Sequence, residues 1–338
     1  MSIDHFVCDA FSDWLGATFD SKQVRLLEQG VADQGAAIAT DWQKVVDSGF
    51  ADLLVDENAG GAGADLATAG EVLQTCGACA LPLALATTLW VRAALAREGH
   101  GIPQGAIGLA CGKRIGAGVI CSGVAFGTVV DWVLVVLGDD AWLLSMYGAQ
   151  QATSVEQRSL SVDLAWPAIP VGTLKLEHRY DWQAIGAAIF AALIAGAARS
   201  VLQLSLAYAA ERSQFGKPIG RFQAVQQQLS VLAEEVYAVR MAAQLALRGT
   251  DLQVDPHLAA LAKARASQAV PNIVAIGHMV HGAIGITEEY DLQLHTRRLH
   301  EWRLQFGSER YWQRRLGEAL LDSELPVLDF MRALTEPG

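Results

Sequence analysis

The chain has 338 residues, 52% of them hydrophobic and only 18% charged, with a net charge of −11. Soluble proteins average about a quarter charged, so much of the apolar surface is expected to lie against other subunits rather than in water. The acidic balance, with no basic patch, speaks against nucleic-acid binding.

Five cysteines stand at 8, 76, 79, 111 and 121. The odd number, and a stretch from Met1 to Asp20 that mixes acids, His and aromatics, point to a reduced cytoplasm and not to a secretory signal. Cys76-Gly-Ala-Cys79 has no second pair of the kind a zinc site uses. It reads as two small buried residues on a helix, with zinc or redox use as the alternative.

Residues 1–104 read as an N-terminal helical domain. Val24, Leu27 and Val31, then Trp42, Val45 and Val46, carry helical spacing. Asn58-Ala-Gly-Gly-Ala-Gly63 breaks the pattern, and Asp65 is placed to cap the helix that runs through Val72 and Leu73 towards the cysteine pair.

Residues 105–178 read as a small β domain. Val119-Ile-Cys, Val129 to Val136 and Ala141 to Leu144 are short apolar runs, punctuated by Gly112, Gly116, Gly127, Gly138 and Gly148. Their alternation is poor, which leaves the pairing of the strands open.

Residues 179–338 read as a C-terminal four-helix bundle. Asp181 is a plausible N-cap for a helix to about Arg212, which Gly216-Lys-Pro-Ile-Gly220 ends. The apolar run Ala184 to Ala198 falls short of the roughly 20 residues of a membrane span, and reads as a buried helix. The next helix carries one buried stripe, Val225, Leu229, Leu232, Val236 and Val239, and Gly249-Thr-Asp closes it. Further helices are expected over about 256–280 and 288–303. The fold class is mainly α with a small β domain.

Arg212-Ser-Gln-Phe-Gly-Lys-Pro-Ile-Gly-Arg-Phe-Gln223 joins the groups that a dinucleotide needs. An arginine fixed at a helix end offers forked donors to a diphosphate. Glycines let the backbone approach a ligand, and Phe215 offers a flat apolar face. An ordinary interhelical turn with an ion-paired arginine is the plain alternative. Met279-Val-His-Gly-Ala-Ile-Gly-Ile-Thr-Glu-Glu-Tyr-Asp291 is a second glycine-rich break, followed by Arg297-Arg298 and then Phe306-Gly-Ser308.

These segments resemble those of the acyl-CoA dehydrogenase family: RxxFGxxxxxFQ, then Q-x-H/L-G-G-x-G-x-T-x-E-x-D, then a Glu-Gly-Thr turn. Trp42, Gly49, Leu54 and Gly60-Gly61-x-Gly63 extend the likeness to the first third. The resemblance implies N-terminal helices, a middle β domain and a C-terminal four-helix bundle. It also implies FAD where the β domain and bundle meet, with a neighbouring subunit supplying the Arg212 segment. By match, the cofactor positions are Arg212, Gln214, Phe215, Phe222, Gln223, His281, Gly282 and Ser308.

The chain departs from the family at the chemistry. The family's catalytic Glu stands at one of two positions, which here hold Phe306 and Gly186. Neither accepts a proton, so no catalytic base is assigned. The stretch that covers the flavin is reduced to Gly108-Leu-Ala-Cys-Gly-Lys113, and Met279 and Ala283 replace a Gln and a Gly. The resemblance then implies the shorter, base-lacking chain of an α2β2 heterotetramer. Its partners are a longer acyl-CoA dehydrogenase subunit, an acyl-CoA substrate and electron-transfer flavoprotein or a similar acceptor. Other readings are a self-sufficient homotetramer with an unusual base, for which Glu289 stands first, a flavin oxidase or monooxygenase, and a cofactor-free helical assembly protein. Glu288, Glu289 and Asp291 are otherwise expected as helix-start charges, and Glu211 as an ion-pair partner of Arg212.

Overall fold

The computed structural model describes residues 3–30, 35–153, 160–177, 180–249 and 251–335. Val31, Thr250 and the expected boundary at 178 lie outside them. The first third is helical: α1 (Ile3–Thr18), α2 (Ser21–Gly30), α3 (Gly35–Asp47), α4 (Leu66–Ala78) and α5 (Leu85–Arg97). Asp65 caps α4 as expected, its carboxylate accepting from Thr68 N at 2.8 Å.

The middle part holds β1 (Ile107–Cys111), β2 (Lys113–Ile115), β3 (Gly118–Val124), β4 (Trp132–Leu137), β5 (Asp140–Ser145), β6 (Gln150–Thr153), β7 (Val162–Trp166) and β8 (Leu174–Leu176). They form two four-stranded sheets, ordered β1-β4-β5-β8 and β2-β3-β7-β6. β1 and β4 pair in parallel, and the other neighbours are antiparallel. The poor alternation now has a cause. Val133, Leu134 and Val135 are all buried, so β4 is covered on both faces and its residues form a continuous apolar run. Helix α5 docks on β1 through Thr87 Oγ1, which donates to the Ile107 carbonyl at 2.7 Å, and Thr88 Oγ1, which accepts from Ile107 N at 2.9 Å.

The last part holds α6 (Trp182–Glu211), a two-strand hairpin of β9 (Ser213–Gln214) and β10 (Lys217–Pro218), α7 (Gln223–Ala246), α8 (Pro256–His281), α9 (Leu292–Leu304), α10 (Glu309–Ser323) and α11 (Val327–Thr335). Asp181 caps α6, accepting from Ala184 N at 2.9 Å. Leu229, Leu232, Val236 and Val239 are the buried stripe of α7. One expectation needs correction: the fourth bundle helix starts at Leu292, not at residue 288. Gly282–Ile286 winds as a 3₁₀ turn after Gly282 takes a positive φ of 63°. Arg25 of α2 then holds the loop, donating to the carbonyls of Glu288 (3.1 Å) and Glu289 (3.2 Å) and pairing with the Asp291 carboxylate.

Helix α6 and the stretch Pro256–Ile286 are each long and apolar enough to cross a membrane, but 94% of the apolar window of α6 is buried inside this chain. The packing is closest where α4 crosses α6. A Cβ on Gly196 would stand 1.8 Å from the Gln74 carbonyl oxygen, and one on Gly77 would stand 2.1 Å from that of Leu193. Ser200 Oγ donates across the same crossing to the Ala78 carbonyl at 2.8 Å. Cys76 is buried and Cys79 half-buried beside it, and burial raises both thiols above their usual pKa. Gly196→Ala forces two backbones apart and is expected to cost about 3 kcal/mol or more, read as a lowered urea midpoint.

Candidate functional site

At the C-terminal end of α6, Arg212 leaves the helix in extended conformation. Its N–H still donates to the Tyr208 carbonyl, and its own carbonyl accepts from Ile219 N at 2.8 Å. That second bond closes the hairpin in which Gln214 pairs with Lys217. Phe215 and Gly216 turn the tip with φ of 50° and 79°. Left-handed backbone costs a bulky residue about 1–2 kcal/mol, and the Phe215 ring is 92% exposed. Its one ring contact among the described residues is edge-on to Phe222, at 6.2 Å. Phe222 also carries Lys217 Nζ 4.3 Å above its ring. Arg212, Gln214 and Gln223 are exposed. No ion pair forms between Glu211 and Arg212 among the described residues, contrary to expectation: Glu211 is the last residue of the helix and Arg212 already runs extended.

His281 closes the same end. Its Nδ1 lies 2.7 Å from the Gly277 carbonyl, and its ring stacks on Tyr208 at 4.7 Å, one helical turn before Arg212. Burial lowers its pKa and keeps it neutral. Gly282 is exposed beside it. Arg297 and Arg298 are not free to meet a phosphate. Both pair with buried Glu28 of α2, at 2.5 and 2.7 Å, and Arg298 also pairs with Glu301 at 3.0 Å.

The other end of α6 holds the two family base positions in one contact. The Phe306 ring lies where a side chain on Gly186 would stand, 2.2 Å from its would-be Cβ, and stacks on Phe190 at 5.7 Å. Phe306 has a φ of 52° and Gly307 one of 101°. The Phe306 carbonyl accepts from Gln183 Nε2 at 2.8 Å and from Trp312 Nε1 at 2.9 Å. Beside the ring is a pocket of about 330 Å³ between the sheets and the bundle, lined by Leu109, Cys111, Gln183, Gln305 and Phe306 among others, none of them Asp or Glu. Cys111 Sγ donates to Gln183 Oε1 at 2.9 Å, and burial pushes its pKa up to about 11. Ser308, half-buried, is the N-cap residue of α10 but makes no side-chain cap bond.

The structure therefore gathers Arg212, Gln214, Phe215, Phe222, Gln223, His281 and Gly282 at one end and leaves Ser308 at the other. From Gln183 to Arg212 the rise of α6 is about 43 Å, beyond the reach of one dinucleotide. Glu289 is exposed on the Arg212 side, and the rise of α9 puts it about 20 Å from Phe306. It cannot serve this chain's own pocket. A larger cavity, about 630 Å³, is lined by Glu71, Arg199 and Arg240 and by none of the predicted residues.

Sequence reasoning missed Lys263. It is fully buried on α8 and donates to Ser267 Oγ (2.7 Å) and to the carbonyls of Arg303 (2.7 Å) and Gly307 (3.0 Å). A lone lysine in the alanine-rich stretch Ala259 to Ala269 was the only signal.

A family model for the C-terminal domain of acyl-CoA dehydrogenases matches residues 184–321. Acyl-CoA dehydrogenase IpdE2 of Mycobacterium tuberculosis is 31% identical over 307 residues, 87% of this chain and 93% of that protein. Among solved structures, the Tcur3481–Tcur3483 steroid ACAD superposes with a TM-score of 0.80 at 22% identity, covering 95% of this chain and 98% of that one. The ChsE4–ChsE5 complex from Mycobacterium tuberculosis superposes with a TM-score of 0.76 at 19% identity, covering 97% and 99%. The chain belongs to the acyl-CoA dehydrogenase family, a family of oxidoreductases.

Two expectations follow from these contacts. Gly186→Ala should destabilise the chain by about 1–3 kcal/mol through overpacking. Combined with Phe306→Ala, part of that loss should return, so that urea denaturation of the double variant departs from additivity. The second concerns Lys263, whose pKa burial pushes down to about 7. The unfolded chain holds that proton to about pH 10, so between those values it binds more protons than the folded chain, and stability rises with pH. Lys263→Met should flatten that rise in urea midpoints measured from pH 7 to 10.

Proposed function

We propose that this chain is the shorter, base-lacking subunit of an FAD-dependent acyl-CoA dehydrogenase that completes the flavin site of a longer partner subunit in an α2β2 assembly. The observation that carries this reading is the contrast between its two ends. Phe306 fills the space on Gly186, where a catalytic carboxylate would stand, while the side chains of Arg212, Gln214 and Phe215 on the hairpin are exposed. FAD, when bound, supplies the hydride acceptor for α,β-dehydrogenation of an acyl-CoA thioester.

This chain's residues bind and orient. Arg212 is exposed and makes no ion pair among the described residues, and the fork of its guanidinium matches a diphosphate. Phe215, held up by its left-handed backbone, offers a ring face. Gln214 and Gln223 add amide donors, and Phe222 backs the hairpin. Gly282 leaves the backbone next to His281 open to close approach. Ser308 follows Gly307 of the pocket at the other end of α6 and serves no flavin held at the hairpin. The base that removes the α-proton stands on the partner chain, since neither Phe306 nor Gly186 can take a proton. Electrons leave to electron-transfer flavoprotein or a similar acceptor, in the cytoplasm. The likeness to a steroid ACAD and to a complex of two differently named chains supports the heteromer reading.

The visible absorption spectrum tests this reading, taken on the chain alone and after co-expression with a longer relative that has Glu at either base position. A flavin band is expected in the co-purified complex only. In that complex, Arg212→Ala should remove a charge-assisted contact of about 2 kcal/mol, weakening flavin retention roughly thirtyfold. A full complement of flavin on the lone chain overturns the reading. No flavin in either sample leaves the cofactor-free assembly protein.

A further inference from the structure

Lys263 carries its ammonium where water does not reach. Its bonds run to a hydroxyl and to two backbone carbonyls, and Ser267 Oγ itself donates to the Arg303 carbonyl at 3.0 Å. Arg303 lies in the last turn of α9, where carbonyls lack helical partners and a positive charge is favoured. Gly307 lies in the left-handed turn that follows. One ammonium thus ties the end of α9 to the turn that carries Phe306. The charged neighbours that act on it are Glu309 of α10 and Arg303 of α9, themselves an ion pair. On the far side of the turn, Gln183 and Trp312 hold the Phe306 carbonyl.

Burying an ammonium works against stability even when its hydrogen bonds are made. A methionine of similar length would fill the same space without that cost. The geometry accounts for the lysine by what it holds. We propose that Lys263 is a positioning residue: its ammonium latches the Phe306–Ser308 turn to the end of α9, and so keeps Phe306 seated on Gly186 at the edge of the pocket. The inference concerns this chain's own pocket, and it stands whichever chain holds the base or the flavin.

Hydrogen–deuterium exchange of the full chain, read by mass spectrometry beside a urea midpoint, tests it. In Lys263→Met the amides of residues 304–308 are expected to exchange about tenfold faster or more. Those of α6 and α7 should stay as protected as before, and the midpoint should hold or rise. A merely structural core residue would give the opposite pattern, with every segment loosened and the midpoint lowered, and that result overturns the proposal. So does unchanged exchange at 304–308. Should Lys263→Met not fold, Ser267→Ala carries the test. It removes one acceptor of the ammonium and one donor to Arg303, and it must speed exchange at 304–308 while sparing α6.

Discussion

The crossing of α4 over α6 leaves no room for a side chain at Gly77 or Gly196, so carbonyl oxygens of each helix lie against the backbone of the other. That contact sets how deep α6 sits. A helix held this closely, and covered along most of its length, cannot carry charge, and none stands between Asp181 and Arg199. Its full apolar circumference fits its place, with 94% of its apolar window buried inside this chain. Mostly buried and 30 residues long, it also acts as a spacer. Whatever stands at Gly186 is held far from whatever stands at Arg212. One copy of this fold cannot bring its two ends to the same small molecule.

Two phenylalanines mark the two ends. Phe215 and Phe306 share almost the same left-handed backbone angle, 50° and 52°. For Phe306 the strain is offset inside the chain by the bare face of Gly186, the stack on Phe190 and two hydrogen bonds to its carbonyl. For Phe215 nothing of that size is present, since its ring stands in water. The one ring is exposed beside an exposed arginine, and the other is buried against a glycine. The polar groups elsewhere follow the same division. Arg297 and Arg298 are spent on Glu28, where they pin α2 to α9, and Arg25 is spent on the loop before α9.

Much of this was legible in the sequence because its signals were local. Asp65 and Asp181 stood where caps belong, the stripe on α7 had its period, and the hairpin lay within one short segment. Several features were not legible, because each joins residues far apart in the chain. The ring of Phe306 on Gly186 links positions that look merely deficient when read singly. Glu28 with Arg298 is invisible until α2 meets α9, and so is the hold of Arg25 on the loop before α9. The strands of the first sheet hid their pairing because β4 is covered on both faces. Lys263 escaped notice because a single lysine in an apolar helix reads as a charge reaching for water, and only the turn after α9 shows what it holds.

The fit of Phe306 against Gly186 also couples the two positions. A carboxylate placed at Gly186 meets the aromatic ring at once, because the ring lies 2.2 Å from where its Cβ would stand. Removal of the ring instead bares both the glycine and the face of Phe190. What either position can hold is therefore set by its neighbour, and the two behave as a single site split between a helix and a turn.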